Sequence, residues 1–495
     1  MTKKNQGRNL FHMQSVTVIF LMLISFVSHI SAQTDPATKQ VNAYVEHLMQ
    51  RQGIPGVALA IIKNGKVIHQ KYFGYANLEH QVPVTANSIF RVYSLTKPVI
   101  SVAVFQLIEE GKLQLDDVIS QHVDGLPLAW QSVQIKHLLT HSSGFPDMAP
   151  FHKYKDFTEE ESKNRVFAEA LKFPAGKQYD YNQTNFWLLQ QVIEKLGQTS
   201  LSEFVIKRQF KNAPDAVFFS SDSRDIIRHR ATPYFYFSRG ELSLDHSYMQ
   251  GDYGHAMNGL NLTLNAFVNW DRKLNQGEFL NDTTQQLMLK AFNYTDSNKV
   301  FAHAWDKINV NGHVSYGFTG SLVTAYRTFP DENMSIVFLS NGLSYWYNID
   351  NIINHIASLI DPKIQVENNH IYETLLRASL EHSFDEFKNI FTRLTNNPNY
   401  QGINFEKQLN DVGYMLLNIK NIKKAIEVFK FNTSVYPQSW NAYDSLGEAL
   451  EKNGELKKAL MQYKKALSLN STNQYQRNAQ LKDKIALLTN GLNQQ

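Results

Sequence analysis

The sequence predicts an α+β fold up to about residue 361, followed by an all-α region. Two strand-like runs, residues 56–63 and 66–73, flank Asn64-Gly65, a strong signal for a β-hairpin. Further strand-like runs return only much later, and helical patterns fill the interval. These later runs cover residues 314–318, 322–329 and 335–339. We therefore expect a mainly antiparallel sheet built from both ends of one domain, with a long helical insertion between them.

The first 32 residues have the composition of a secretory signal peptide. Lys3, Lys4 and Arg8 make the start basic, residues 16–27 are almost wholly apolar, and Ile30-Ser31-Ala32 offers a cleavage site. The apolar stretch is shorter than the roughly 20 residues that cross a bilayer, so an uncleaved anchor is the alternative. We expect an exported protein, either periplasmic or secreted.

Composition excludes several classes of function. With 495 residues the chain exceeds what one core supports, so more than one domain is expected. The absence of cysteine excludes a disulfide scaffold, a thiolate metal site and a cysteine nucleophile. The formal net charge of +4 is carried largely by the signal segment, so the mature chain is close to neutral and nucleic-acid binding is not expected. No cofactor is predicted.

The first chemical motif is Ser94-Leu95-Thr96-Lys97, which precedes an apolar helical run over residues 99–108. This spacing places the hydroxyl of Ser94 and the amine of Lys97 on one helical face. A serine hydroxyl is a poor nucleophile at neutral pH, and an adjacent unprotonated amine can take its proton. Free backbone N–H groups at the helix start can also bind an oxyanion. Alone, the motif is more often an ordinary helix cap beside a solvated lysine.

Three further motif-like segments follow in order, at residues 135–145, 174–186 and 316–321. Together with residues 90–117 they resemble the serine β-lactamase and penicillin-binding protein superfamily. The likeness is to its class C-like branch, which also contains D-alanyl-D-alanine carboxypeptidases, D-aminopeptidases and esterases. It covers roughly residues 40–341 and implies a β-lactamase/transpeptidase-like fold that cleaves an ester or amide through an acyl-enzyme.

The resemblance implies roles for individual residues. Ser94 would be the nucleophile, with Lys97 and Tyr181 managing its proton. Tyr179 competes with Tyr181, but the sequence that follows aligns better with Tyr181 in the family position. The backbone N–H groups of Ser94 and Ser321 would form the oxyanion hole.

Four residues are expected to bind substrate, and two of them depart from the family pattern. They are Gln183, Phe318, Thr319 and Gly320. Gln183 stands where asparagine is usual and keeps the amide on a longer stem. Phe318 replaces a cation that in many members binds a substrate carboxylate. We therefore expect esters, uncharged amides or D-amino-acid substrates rather than efficient β-lactam hydrolysis.

Several alternatives stay open from the sequence. The protein could be a D-Ala-D-Ala carboxypeptidase or a β-lactamase proper, or a non-catalytic binding or scaffold protein on the same fold. His137 and His141 have a spacing that suits a metal, but they lack an acidic third ligand and match a structural segment of the family, so no metal site is predicted. The neighbouring Asp116-Asp117 pair is expected to be solvated.

The C-terminal part carries a repeat with a 34-residue period, which is that of tetratricopeptide repeats. Gly413, Ala425 and Phe429 recur as Gly447, Ala459 and Tyr463. We expect a hydrolase domain over residues 33–361, linker helices over 362–407, two repeats over 408–473 and a helix or tail over 474–495. Ordinary helical hairpins are the alternative. The repeats would bind a weak protein partner and be separable from a catalytic domain that acts on a small molecule or peptide.

Overall fold

The computed structural model describes residues 36–149, 158–236, 242–246, 249, 251–342, 348–470 and 475–493. The predicted signal peptide, residues 1–32, lies outside these ranges. Within them, no helix combines the length and apolar character that a membrane crossing needs.

The described residues form helices and strands with the following bounds. The α-helices are α1 (Pro36–Gln52), α2 (Thr96–Glu109), α3 (Ile135–Leu139), α4 (Glu159–Phe167), α5 (Thr184–Gly197), α6 (Leu201–Gln209), α7 (His255–Asn258), α8 (Leu264–Asn275), α9 (Asp282–Met288), α10 (Ile349–Ile360), α11 (Glu367–Glu381), α12 (Phe384–Thr395), α13 (Phe405–Asn418), α14 (Ile422–Val435), α15 (Trp440–Lys452), α16 (Leu456–Leu469) and α17 (Tyr475–Asn493). The strands are β1 (Gly56–Lys63), β2 (Lys66–Asn77), β3 (Val82–Pro83), β4 (Ile89–Arg91), β5 (Val217–Phe219), β6 (Tyr234–Tyr236), β7 (Leu242–Leu244), β8 (Leu260–Thr263), β9 (Asp306–Val310), β10 (His313–Gly320), β11 (Thr324–Phe329) and β12 (Met334–Ser340).

The central feature is a seven-stranded antiparallel sheet in the order β3-β2-β1-β12-β11-β10-β9. The N-terminal hairpin joins the late strands through β1 and β12, with Val57 opposite Ser340 and Lys63 opposite Met334. Helices α2 to α9 and two small sheets make up the insertion between the two halves. The predicted α+β class, with an antiparallel sheet drawn from both ends of the domain, is confirmed.

Helices cover both faces of the sheet, which explains why β1 reads as a continuous apolar run. Ala58 and Ala60 face one core, together with α2, α5 and α8. Val57, Leu59 and Ile61 face a second core, which is shared with α1 and α10. Alternate residues of the strand are therefore buried on opposite sides, and polar positions are not needed on either side.

The C-terminal region is all helical, as predicted. The helix pairs α13–α14 and α15–α16 contain the same close contact, at positions that are 34 residues apart in the sequence. A Cβ atom on Gly413 would lie 2.4 Å from the ring of Phe429, and one on Gly447 would lie 2.7 Å from the ring of Tyr463. Glycine is required there because the helices approach so closely. The assignment of these pairs to tetratricopeptide repeats stays a prediction.

The helices after residue 361 continue the second core of the sheet rather than forming one of their own. Leu375 and Leu376 of α11 are fully buried in it. A buried ion pair joins Arg51 of α1 to Glu373 of α11, with 2.7 Å between nitrogen and oxygen and about 5% of each side chain exposed. The amide of Gln52 also lies 3.1 Å from the sulfur of Met415. The tail is therefore anchored to the domain that carries the sheet.

Candidate active site

Ser94 lies in a short 3₁₀ helix, Tyr93–Leu95, between β4 and α2. The backbone of Tyr93 has φ of +50°, a left-handed conformation that is strained for a bulky residue. The surroundings hold it in place, because the Tyr93 hydroxyl donates to Asp245 at 2.9 Å and Asp245 pairs with Arg91 at 3.3 Å. This turn presents the half-buried Ser94 at the amino end of α2.

The structure brings three of the predicted residues together around one oxygen atom. The amine of Lys97 lies 3.4 Å from Oγ of Ser94. The hydroxyl of Tyr181 donates to the same Oγ at 2.7 Å. Ser94 Oγ therefore has a nitrogen base on one side and a phenol on the other.

The environment of Lys97 makes its neutral amine accessible at neutral pH. The side chain is fully buried, and this desolvation lowers its pKa to about 7, although the charge of Asp147 opposes the shift. Its amine also lies 3.1 Å from Oε1 of Gln183 and 2.7 Å from the carbonyl of Met257. A neutral amine has two hydrogens for these two acceptors, so its lone pair is left for the Ser94 proton.

Tyr181 keeps its proton at neutral pH. Burial raises its pKa above the ordinary value, and its hydrogen bonds with Ser94 and Gln183 only partly oppose the rise. The Lys97 nitrogen lies 4.9 Å from the centre of the Tyr181 ring. The phenol is thus a donor to Ser94 in the free protein.

Gln183 is buried and acts on Lys97 rather than lining open space. Its side chain is 3% exposed, and its backbone N–H donates to Oδ1 of Asp147 at 3.1 Å. Burial raises the pKa of Asp147, and its backbone hydrogen bonds and the nearby Lys97 oppose that rise. The amide expected to hold a substrate carbonyl therefore positions the lysine in this structure.

Phe318 contributes an aromatic ring to the site beside Tyr181. It is 5% exposed, its ring lies nearly parallel to that of Tyr181 with 6.3 Å between centroids, and its other neighbour is Phe301 at 6.1 Å. Thr319 is half-buried beside it on β10. This part of the site is apolar and carries no charge at position 318.

The end of β10 lies directly against the chain that leads into Ser94. A Cβ atom on Gly320 would be 1.9 Å from the carbonyl oxygen of Val92, so only glycine fits. Ser321 follows with φ of +47°, and among the described residues its backbone N–H meets no acceptor. This N–H group is available to a bound oxygen.

Three other residues that the sequence singled out do not surround Ser94 Oγ, although the ring of His141 lies 4.6 Å from that of Tyr181. Tyr179 contacts the rings of His141 and Phe301 and not Ser94. His141 is fully buried, and its Nδ1 accepts from the N–H of Asn182 at 3.1 Å. Burial lowers the pKa of His137 to about 4. In the described part of the chain, no group of three histidine or acidic side chains is arranged to hold a metal ion.

The two neighbouring aspartates behave differently from each other. Asp116 is exposed and pairs with Lys136. Asp117 is only 23% exposed, lies 3.2 Å from His122 and accepts from the backbone of Gln114 at 2.8 Å. Asp117 is therefore partly exposed to solvent, and its carboxylate also closes the turn after α2.

Two residues of the site were not indicated by the sequence. Asp147 accepts a hydrogen bond from the backbone N–H of Gln183, and the backbone carbonyl of Met257 accepts one from Lys97. Asp147 comes two residues after the motif-like segment 135–145, and this proximity is a weak sequence signal that it belongs to the site. Met257 contributes a backbone carbonyl, and no residue type marks such a role in a sequence.

Comparison with known proteins identifies the family of the chain. The family model described as Beta-lactamase matches residues 41–354, which is more than half of the chain. The chain therefore belongs to the β-lactamase family, whose fold is shared with penicillin-binding proteins and related serine hydrolases.

Individual relatives are distant. Protein flp of Staphylococcus aureus is 28% identical over 193 residues, which cover 36% of this chain and 37% of that protein, so the match spans little more than a third of its length. The octameric penicillin-binding protein homologue from Pyrococcus abyssi has a TM-score of 0.58 at 22% identity, covering 68% of this chain and 81% of that one. The D-amino acid amidase from Ochrobactrum anthropi, complexed with L-phenylalanine amide, has a TM-score of 0.57 at 18% identity. The match covers 66% of this chain and 100% of that one. The two structures establish the shared fold.

Proposed function

We propose that the protein is an exported serine hydrolase that cleaves an ester or an uncharged amide through an acyl-enzyme on Ser94. The observation that carries the proposal is the position of Ser94 Oγ between the amine of Lys97 at 3.4 Å and the hydroxyl of Tyr181 at 2.7 Å. A serine hydroxyl needs an adjacent base to become a nucleophile, and Lys97 is a buried amine with a pKa of about 7.

In the proposed reaction, Ser94 Oγ attacks the substrate carbonyl carbon while its proton passes to the neutral amine of Lys97. The backbone N–H groups of Ser94 and Ser321 donate to the oxyanion that forms. The protonated Tyr181 then donates to the departing alkoxide or amine as its bond to the carbonyl carbon breaks. Lys97 then returns its proton to the Tyr181 phenolate. A water molecule attacks the ester on Ser94 while it passes one proton to the neutral Lys97, and that proton moves to Ser94 Oγ as the acid is released, which restores the serine.

The substrate class follows from the uncharged environment of Phe318. A fixed cation there would bind a substrate carboxylate, whereas a buried aromatic ring favours neutral and apolar groups. A protein of the same fold is a D-amino acid amidase that was solved with L-phenylalanine amide, an amide that has no carboxylate. Carboxypeptidase and β-lactamase activities are therefore second candidates, and a non-catalytic binding protein is the third.

Export is proposed from the composition of residues 1–32. Expression of the full chain with its own N-terminus, followed by fractionation and N-terminal sequencing of the product, tests it. A protein that begins at Gln33 outside the cytoplasm supports cleavage. A full-length product that stays inside the cell contradicts the proposal.

Active-site labelling tests the catalytic assignment. A fluorophosphonate probe should label the wild-type chain and the Ser468→Ala control, whose serine lies on the exposed surface of α16, and should not label Ser94→Ala. A panel of short-chain nitrophenyl esters, D-amino-acid amides and nitrocefin then ranks the substrates. Labelling that persists on Ser94→Ala rejects the nucleophile, and rapid nitrocefin turnover without esterase activity rejects the substrate class.

A further inference from the structure

A cleft with a volume of about 730 Å³ lies apart from Ser94. Its walls come from the end of α8, from α9 and the chain after it, and from β9, β10 and β11. The residues that line it do not include Ser94, Lys97 or Tyr181. Its volume is in the range of sites that hold small organic molecules.

The cleft has a positive lining. Lys290 and Lys307 both contribute to its walls, and Asp282 is the single acidic residue among those that line it. Across the described ranges, no carboxylate lies within 4.0 Å of either lysine nitrogen. Two unpaired ammonium groups in a concave site attract an anion more strongly than the same groups on a flat surface.

The same cleft offers an apolar surface beside the cations. The ring of Tyr316 lies on its wall, and the nitrogen of Lys307 is 5.5 Å from the centre of that ring. Trp305 also lines the cleft and is 1% exposed, and within the described chain its indole N–H has no hydrogen-bond partner. An occupant with an aromatic or aliphatic body next to its negative group would match this lining.

The cleft and the candidate active site share one strand. Tyr316 and Phe318 are two residues apart on β10, so their side chains point to the same face of the sheet. Phe318 packs on Tyr181, whereas Tyr316 lies in the wall of the cleft. A ligand held there would contact the strand that leads to Ser321 without contacting Ser94.

We propose that this cleft is a second ligand site that binds a small organic anion with an apolar or aromatic body. Lys290 and Lys307 hold the negative group, and Tyr316 packs against the body. The site does not depend on the reaction proposed for Ser94, so either proposal can fail while the other stands.

Calorimetric titration of hydrocinnamate into the full chain carrying Ser94→Ala tests the proposal without hydrolysis. The carboxylate should bind roughly tenfold more tightly than hydrocinnamamide, its neutral counterpart, since charge-assisted hydrogen bonds are the stronger ones. The double variant Lys290→Gln/Lys307→Gln should lose about tenfold in affinity for the carboxylate and little for the amide. The matched control Lys66→Gln/Lys211→Gln, which changes two exposed lysines elsewhere, should bind as the parent does.

A third comparison separates the cleft from the Ser94 site. Hydrocinnamate should bind equally to the wild-type chain before and after fluorophosphonate labelling, and Tyr316→Leu should weaken both ligands. The proposal is overturned if the double lysine variant binds like its control, if the amide binds as tightly as the carboxylate, or if labelling abolishes binding.

Discussion

The Lys97 amine is fully buried beside Ser94, and its proton decides whether the serine can be activated. Desolvation lowers the pKa of this amine to about 7, so roughly half of the molecules carry the neutral form at neutral pH. Only this neutral form can accept the Ser94 proton.

The pH dependence of hydrolysis should therefore report Lys97. Because the protonated lysine cannot act as a base, kcat/KM should rise about tenfold per pH unit below the pKa and level off above pH 7 to 8. Lys97→Met should lose the activity, while Lys112→Met, at an exposed lysine paired with Glu110, should keep the wild-type profile. A rate that is flat or falls from pH 5 to 8 contradicts this role.

Position 318 should control the preference for charge in the substrate. Phe318→Lys places an ammonium group beside Tyr181, so the ratio of kcat/KM for a carboxylate-bearing ester to that for its methyl ester should rise about tenfold. Phe318→Leu is the control, because it removes the ring without adding charge. Equal ratios in the two variants would show that this position does not set the preference.

At the scale of residues, the linear motifs were sufficient to name Ser94, Lys97 and Tyr181, which the structure places around one oxygen. They could not show that the Gln183 amide accepts from Lys97 instead of facing open space. They also gave no sign of the Met257 carbonyl, because backbone groups carry no residue signature. Contacts between distant segments depend on packing, which spacing along the chain does not encode.

At the scale of elements, the junction between β10 and the turn before Ser94 sets the geometry of the site. Thr324 donates to the carbonyl of Val92 at 3.1 Å, and Gly320 lies against the same carbonyl. The predicted strand over residues 322–329 in fact begins at Thr324. Ser321 and Leu322 have left-handed backbones that end β10. The apolar pattern of residues 322–329 continues a strand through this turn, so it does not indicate where the strand begins.

Gly320→Ala should damage catalysis by moving β10. Its Cβ atom would lie 1.9 Å from the Val92 oxygen, a clash that a shift of at least about 1 Å relieves, and such a displacement costs roughly 100-fold in kcat/KM. Gly491→Ala in α17 is the matched control, since a Cβ there meets nothing within 4 Å. If the Gly320 variant is folded by circular dichroism and fully active, the junction does not position the site.

At the scale of the whole molecule, the tail and the sheet share one core. The sequence indicated a separable repeat region, because its 34-residue period reads as an independent unit. Periodicity does not show that α11 packs on α1, which lies more than 300 residues earlier in the chain. A chain that ends near residue 361 would lose Leu375 and Leu376 from that core and leave Arg51 without its carboxylate.

Glu373→Ala should destabilise the whole protein rather than the tail alone. Removing one member of a buried ion pair leaves the other charge desolvated, which costs about 3 kcal/mol in the free energy of unfolding. Glu381→Ala removes a carboxylate of the same helix that pairs with the more exposed His47, so it should cost well under 1 kcal/mol. Urea denaturation followed by fluorescence measures both. Equal costs in the two variants would contradict a shared core held by this pair.

The proposed reaction requires that Ser94 carries an acyl group during turnover. Rapid acid quenching of the wild-type chain with a nitrophenyl acetate, followed by intact mass and peptide analysis, tests it most directly. We expect a mass increase of one acetyl group, located on the peptide that contains Ser94 and absent from Ser94→Ala. An adduct on another residue, or hydrolysis that survives in Ser94→Ala, would contradict it.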